Sequence, residues 1–184
     1  MSYEYASIIA LAGFLASSGS TRTMSSERSS PMKTATLALN VKDSKVLLGT
    51  KKTGEIGKVT INAPGGKCNP GELPIECVVR ETSEEVGIVL DPENITLTAV
   101  ITFFADNVAD FEVYVFRAET FSGEPRETEE MVPEWFTISE IPFGRMLESD
   151  FAWFPRALNG TPFRAQVHYT GRAIGYQYIE FFPM

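Results

Sequence analysis

Histidine and cysteine are scarce in this chain, and basic residues are outnumbered. His168 is the only histidine, and Cys68 and Cys77 are the only cysteines among 184 residues. One histidine excludes mechanisms built on paired imidazoles. Two cysteines are too few for a disulfide scaffold or a thiolate zinc site of the usual kind, so they read as reduced thiols. A metal site here must rest mainly on carboxylates, and oxygen ligands select hard cations such as Mg²⁺ or Mn²⁺. Lys and Arg number 16 against 24 Asp and Glu, a formal net charge of −8. Such a balance disfavours nucleic-acid polymers and anionic membranes as partners, because both need basic patches. A small anionic ligand stays compatible where a cation bridges the two.

No apolar run reaches the roughly 20 residues that cross a bilayer. The stretch Ala6 to Ala16 is shorter, and a Ser/Thr-rich run from Ser17 to Ser30 follows it. Glu4 precedes it without any Lys or Arg, unlike the basic start of a secretory signal. Arg22 and Arg28 among serines faintly suggest an organelle transit segment, and Met24 or Met32 could each serve as an alternative start. Residues 1–32 therefore read as a disordered or targeting extension. A cytoplasmic location is expected, with nuclear or mitochondrial import and secretion left open.

Residues 33–184 read as one packed domain, expected to be monomeric. Thr34 to Val41 and Lys45 to Gly49, parted by Lys42-Asp43-Ser44, carry a hairpin signature. A loop over Gly54–Lys58 and a short strand over Val59–Asn62 lead to Pro64-Gly65-Gly66. Pro74 to Val86 predicts a helix, with proline in its first turn and Gly87 as its stop. Strands are expected over Ile95–Phe104, Phe111–Ala118, Glu134–Thr137, Phe163–Tyr169 and Gly175–Phe182. A second helix is expected over Asp150–Asn159. Strands with two interposed helices suggest an α+β fold, with helices packed on a mixed sheet.

On a helical wheel Ile75, Val78, Val79, Thr82 and Val86 form the stripe that should face the core. Arg80, Glu81, Glu84 and Glu85 lie off it. Glu81 stands three and four residues before Glu84 and Glu85, so three like charges converge on one surface. They also sit late in the helix, where its dipole favours cations. A solvated acidic face is the plain reading of such a run, and a divalent cation would remove the repulsion.

The surrounding spacing decides for the cation. Gly66 is followed after five residues by Glu72, and after seven more by Arg80-Glu81-Thr82-Ser83-Glu84-Glu85-Val86-Gly87-Ile88. This string resembles the signature of the Nudix hydrolase family at every fixed position; Thr82 stands where an aliphatic residue is usual. The resemblance implies an α/β/α sandwich with a mixed β-sheet and hydrolysis of a bridging diphosphate by a metal-activated water. It implies Glu81, Glu84 and Glu85 as metal-binding and catalytic carboxylates, with Gly66 and Glu130 in the metal site. Glu72 would pair with Arg80, and Gly65 and Gly66 would bring backbone N–H groups close to phosphate.

The flanks narrow the resemblance to the oxidised purine nucleoside triphosphate hydrolases of that family. Lys45-Val46-Leu47-Leu48-Gly49 with Lys51-Lys52, Asn62 before Gly65-Gly66-Lys67, Glu130-Met131, Trp135-Phe136 and Asp150-Phe151-Ala152-Trp153-Phe154-Pro155 carry it. It implies conversion of 8-oxo-dGTP and 2-hydroxy-dATP types to monophosphate and pyrophosphate, a nucleotide-pool sanitising role. Asn62 would bind the purine edge, Asp150 its ring N–H or amine, and Trp153 its face. Thr36, Phe104 and Phe111 would line the base pocket, with Lys51 and Lys67 near the phosphates. Simpler roles stand beside these: Asp150 as a helix cap, Trp153 as core, Asn62 as a turn residue and His168 as an ordinary strand residue. Leu147 and Ser149 replace a tryptophan and an aspartate of that subgroup, which implies a narrower or shifted substrate range. The alternatives are a pyrophosphatase of this family acting on another nucleotide, and a non-catalytic nucleotide-sensing module.

Overall fold

The computed structural model describes residues 32–52 and 60–184. The expected extension before Met32, the Gly54–Lys58 loop and Val59 lie outside the described residues. Within them the chain forms eight strands, β1 (Lys33–Lys42), β2 (Lys45–Lys51), β3 (Ile61–Asn62), β4 (Ile95–Ala105), β5 (Val108–Ala118), β6 (Met131–Thr137), β7 (Phe163–Gly171) and β8 (Ile174–Pro183), and two helices, α1 (Pro74–Val86) and α2 (Asp150–Leu158). None of these helices is long and apolar enough to cross a membrane.

The strand order is β3-β2-β1-β5-β4-β7-β8, with β6 paired to β2. The sheet is mixed: β1 with β5 and β4 with β7 run parallel, and the other pairs are antiparallel. β1 and β2 pair only at Val41–Val46 and Lys42–Lys45 beside their turn. Asp43 and Ser44 there have φ of 50° and 60°, the twist that suits a two-residue hairpin. Beyond the turn the strands separate, which frees the other edge of β1.

Alternation along β1 divides the core. Ala38 packs toward α1 with Leu47, Val78, Val86, Ile88 and Phe116. Leu39 packs toward α2 with Ile101, Val113, Trp153, Phe154 and Phe163. A helix therefore covers each face, giving the α+β sandwich with a mixed sheet. α1 begins with Pro74 and ends at Gly87, whose φ is 76°, and Leu73 N–H donates to Glu76 Oε2 at 3.1 Å. Val78, Thr82 and Val86 are buried as the wheel predicts, but so is Glu85. An acidic residue there is tolerable because it is paired on two sides, as described below.

Most strands are longer than expected. β6 starts at Met131, and Pro133, which weakens a strand reading, lies within it opposite Gly49. β5 starts at Val108, after a turn in which Asp106 and Asn107 take φ of 50° and 63°. β8 starts after Arg172-Ala173, a turn without glycine, in which Ala173 has φ 53°.

Candidate active site

The free edge of β1 is taken by the segment Pro64–Cys68. Ala38 N–H donates to Pro64 O at 2.7 Å, Thr36 N–H to Gly66 O at 2.9 Å, and Cys68 N–H to Thr34 O at 2.9 Å. Two glycines are required here for different reasons. Gly65 has φ 146°, and a Cβ on it would overlap Thr36 O and lie 2.8 Å from Leu37 Cα. A Cβ on Gly66 would fall on the carboxylate of Glu81. The first glycine lets backbone pass backbone, and the second lets a carboxylate rest against the chain.

These glycines do not both serve as phosphate-facing N–H donors. Gly65 N–H donates to Glu85 Oε2 at 2.7 Å. Gly65 O accepts from Lys51 Nζ at 3.1 Å, and the same ammonium lies 3.1 Å from Glu85 Oε1. β2, the glycine segment and α1 are thus tied together at one buried carboxylate. The motif's spacing cannot reveal this, because it needs β2 beside the loop.

Arg80 is the organiser of the other carboxylates. Its Nε and Nη2 grip both oxygens of Glu72 at 2.8 Å each. Its Nη1 reaches Glu81 Oε1 at 2.7 Å and Glu84 Oε2 at 2.9 Å. The two-point pair with Arg80 holds Glu72 down at about 2, so the loop-to-helix latch stays ionised through the physiological range. Burial raises the Glu81 carboxyl, with repulsion from Glu84 and Glu130 adding to it. Burial also raises Glu85, against the pull of Lys51, and Glu81 adds repulsion. Glu130 is placed by a turn tied to α1: Thr128 Oγ1 donates to Glu85 O at 2.8 Å and accepts from Glu130 N–H at 3.1 Å.

A cavity of about 380 Å³ adjoins this cluster. Glu81, Glu85, Glu130, Lys51, Gly65, Gly66 and Lys67 line one part; Asn62, Phe104, Phe111, Asp150 and Trp153 line another. The structure thus gathers around one space most residues singled out from the sequence. Arg80 and Glu84 do not line it. Thr36 borders it, but its hydroxyl donates to Cys77 Sγ at 3.5 Å on the α1 side. Phe104 is stacked on His168, with centroids 4.5 Å apart and planes 4° apart. Asn62 Oδ1 accepts from Ala63 N–H at 2.8 Å. Cys68 and Cys77 are free thiols.

Leu37, Phe103 and Tyr169 also line the cavity, and sequence reading missed them. Phe103 packs against the core under α2. A register shift in the β4–β5 ladder falls between Phe103 and Phe104, which breaks the alternation that would have marked Phe103.

Asp150 is buried at the first turn of α2. Trp153 Nε1–H donates to its Oδ1 at 3.0 Å, and Leu147 N–H to its Oδ2 at 3.1 Å. Trp153 is therefore both core and cavity wall, tethered through its ring nitrogen. Burial outweighs these donors and raises the Asp150 carboxyl to about 7. Between about pH 4 and 7 the folded state then holds a proton that the unfolded chain has released. The resulting stabilisation is complete below about pH 4 and is lost as pH rises to about 7. At about 1.4 kcal/mol per unit this amounts to up to about 4 kcal/mol. Denaturant melts of wild type and Asp150→Asn across that range should show the difference as a slope present only in the wild type; parallel profiles would contradict it.

A model described as NUDIX domain matches residues 31–157 of the chain. The chain is 36% identical over 142 residues to an oxidized purine nucleoside triphosphate hydrolase from Danio rerio, covering 77% of this chain and 90% of the relative. It is 38% identical over 131 residues to a Mus musculus protein of the same description, covering 70% and 81%. Among solved structures it is similar to a MutT protein from Bacillus halodurans, with TM-score 0.69 and 24% identity over 82% of this chain and 97% of the other. At that identity the structural likeness concerns the fold.

Proposed function

The chain belongs to the NUDIX domain family, and from that premise we propose that it hydrolyses oxidised purine nucleoside triphosphates to the monophosphate and pyrophosphate with Mg²⁺. One observation carries this reading. A single cavity has carboxylates of α1 on one wall and the Asp150–Trp153 pair on another. The first suits a cation and a triphosphate, the second a purine.

Hydrolases of this family use a divalent metal, and the residues here fit one. Glu85 is buried and Glu81 half-buried, and the two carboxylates repel each other, with Glu130 adding to it. Gly66 leaves room for the Glu81 carboxylate. Glu81, Glu84, Glu85 and Glu130 would hold the cation. The carbonyl beside them is that of Gly65, whose oxygen faces Lys51 next to Glu85; Gly66 O accepts from Thr36 in the β1 ladder. This favours Gly65 over Gly66 as the backbone ligand. When bound, the cation supplies charge neutralisation on phosphate and a more acidic water.

The chain's own groups do the rest. Arg80 holds Glu81 and Glu84 together and latches the glycine segment through Glu72. Lys51 offers a cation that can exchange Glu85 for a phosphate oxygen. Asp150 presents a buried acceptor to the base, oriented by Trp153 and Leu147.

Steady-state hydrolysis with Mg²⁺ over oxidised and normal nucleoside triphosphates, with the released phosphate identified, tests the reading. A higher kcat/KM for 8-oxo-dGTP than for dGTP, with pyrophosphate released, is expected. A several-fold preference for dGTP would refute the sanitising role. Glu84→Gln should lower kcat by on the order of 10²-fold or more with an unchanged melting temperature, since Glu84 is exposed; undiminished turnover would remove it from the site.

A further inference from the structure

Both cysteines stand at the Glu72–Arg80 latch, and neither they nor Glu72 line the cavity. Cys68 Sγ, Cys77 Sγ and a carboxylate oxygen of Glu72 all lie within 4.8 Å of one another. Each is carried by a fixed piece of backbone. Cys68 N–H donates to Thr34 O on β1 at 2.9 Å, Glu72 N–H to Asn69 O at 3.0 Å, and Cys77 N–H to Leu73 O at the start of α1 at 2.9 Å. Cys77 is completely buried, while Cys68 is half-buried and leaves a way in from solvent. Two donors are aimed at the Cys77 sulfur: Thr36 O–H at 3.5 Å and Arg80 Nη2 at 3.9 Å. A neutral thiol accepts weakly. A thiolate is the form such donors serve, as outer partners do around a metal-bound ligand.

We propose that Cys68, Cys77 and Glu72 form a second cation site, which takes a thiophilic divalent ion of the Zn²⁺ class, is separate from the carboxylate site for Mg²⁺, and lowers turnover when filled. Softness separates the two sites: sulfur takes Zn²⁺ and leaves Mg²⁺ to oxygen. Zn–S bonds of about 2.3 Å set two tetrahedral sulfurs roughly 3.8 Å apart, so the two sulfurs close by about an ångström at most. Glu72 stands in for the further cysteines that the chain lacks, and three protein donors leave a fourth position for water, an arrangement zinc accepts. On binding, two Zn–S bonds form and the two S–H protons pass to water. Burial holds both thiols protonated until then. Two thiolates and one carboxylate around a divalent ion leave one net negative charge, which the adjacent Arg80 guanidinium offsets.

The effect on turnover follows from the shared carboxylate. Arg80 grips Glu72 at both oxygens while its Nη1 holds Glu81 and Glu84. A cation at Glu72 takes an oxygen from that grip. The guanidinium that sets two carboxylates of the Mg²⁺ site is then less firmly held.

Co²⁺ is the probe, because a sulfur–Co²⁺ bond gives an ultraviolet charge-transfer band that carboxylate ligands do not. The full chain, reduced and with both thiols counted, is titrated with Co²⁺ in excess Mg²⁺ as wild type, Cys68→Ser, Cys77→Ala and the double variant, with circular dichroism as the check on folding. Wild type should give a two-sulfur band that saturates at one equivalent and is bleached by Zn²⁺. Each single variant should halve the band and weaken Zn²⁺ binding at least about 100-fold, the upper end of what losing an outer partner costs; the double variant should give none. In parallel, Zn²⁺ should lower wild-type turnover several-fold at saturating Mg²⁺, and Cys68→Ser should resist it. Absence of the band in wild type overturns the site. A band with inhibition undiminished in Cys68→Ser overturns the effect on turnover and places the inhibitory Zn²⁺ on other ligands. The band is read without any nucleotide, so it stands or falls apart from the substrate reading.

Discussion

Glu85→Gln is expected to lower kcat by on the order of 10²–10³-fold, the largest effect on activity of any single conservative change. Glu85 is the one carboxylate of the helix that touches three parts of the site. It accepts from Gly65 N–H, pairs with Lys51, and lines the cavity. Glutamine keeps an oxygen for Gly65 but removes the charge that Lys51 and a divalent cation both require. Lys51 is then left half-buried beside a neutral amide. Thermal melting should change little in the absence of metal, because burial already penalises the ionised carboxylate and the Gly65 contact can persist. Stabilisation by added Mg²⁺ should be lost together with turnover. Activity within a few-fold of wild type would show that Glu85 is a structural tie alone.

The largest effect on stability is expected from Gly65→Ala. The added methyl would meet the backbone at Thr36 O and Leu37 Cα, and backbone in the middle of a sheet cannot yield as a side chain can. The φ of 146° adds strain for any residue with a Cβ. A loss of at least about 3 kcal/mol follows, which lowers Tm by about 6–12 °C for a chain of this size. Gly66→Ala is the informative contrast. Its methyl would meet only the end of the Glu81 side chain, which can swing away at little cost in stability. Tm should stay within about 3 °C, while kcat/KM falls on the order of 10–100-fold because a metal-binding carboxylate is displaced. Equal melting temperatures for the two alanine variants would contradict this account of why there are two glycines.

Much of this molecule was legible in its sequence for stated physical reasons. Proline at the start and glycine at the end bound α1 to the residue, since those two residues have the most restrictive and most permissive backbones. The pairing of Glu72 with Arg80, implied by the family resemblance, is found as a two-point ion pair. β6 reaches beyond the expected Glu134 to Met131: proline argues against a strand, while Pro133 here stands opposite Gly49 within the ladder. Phe103 was passed over for Phe104 because one irregularity in β4 shifts the alternation.

By itself the sequence determined the local chemistry: the helix, its acidic and apolar faces, the glycines before it, and the lack of a second histidine. Those properties depend on neighbours along the chain. Only the tertiary structure decided that Glu85 is buried and tied to Lys51 and Gly65, that Thr36 turns its hydroxyl to Cys77 and not to the cavity, and that Ser149 is held by Tyr169. Each of these joins residues from different elements, and strand order and register, which no local pattern encodes, set which of them meet.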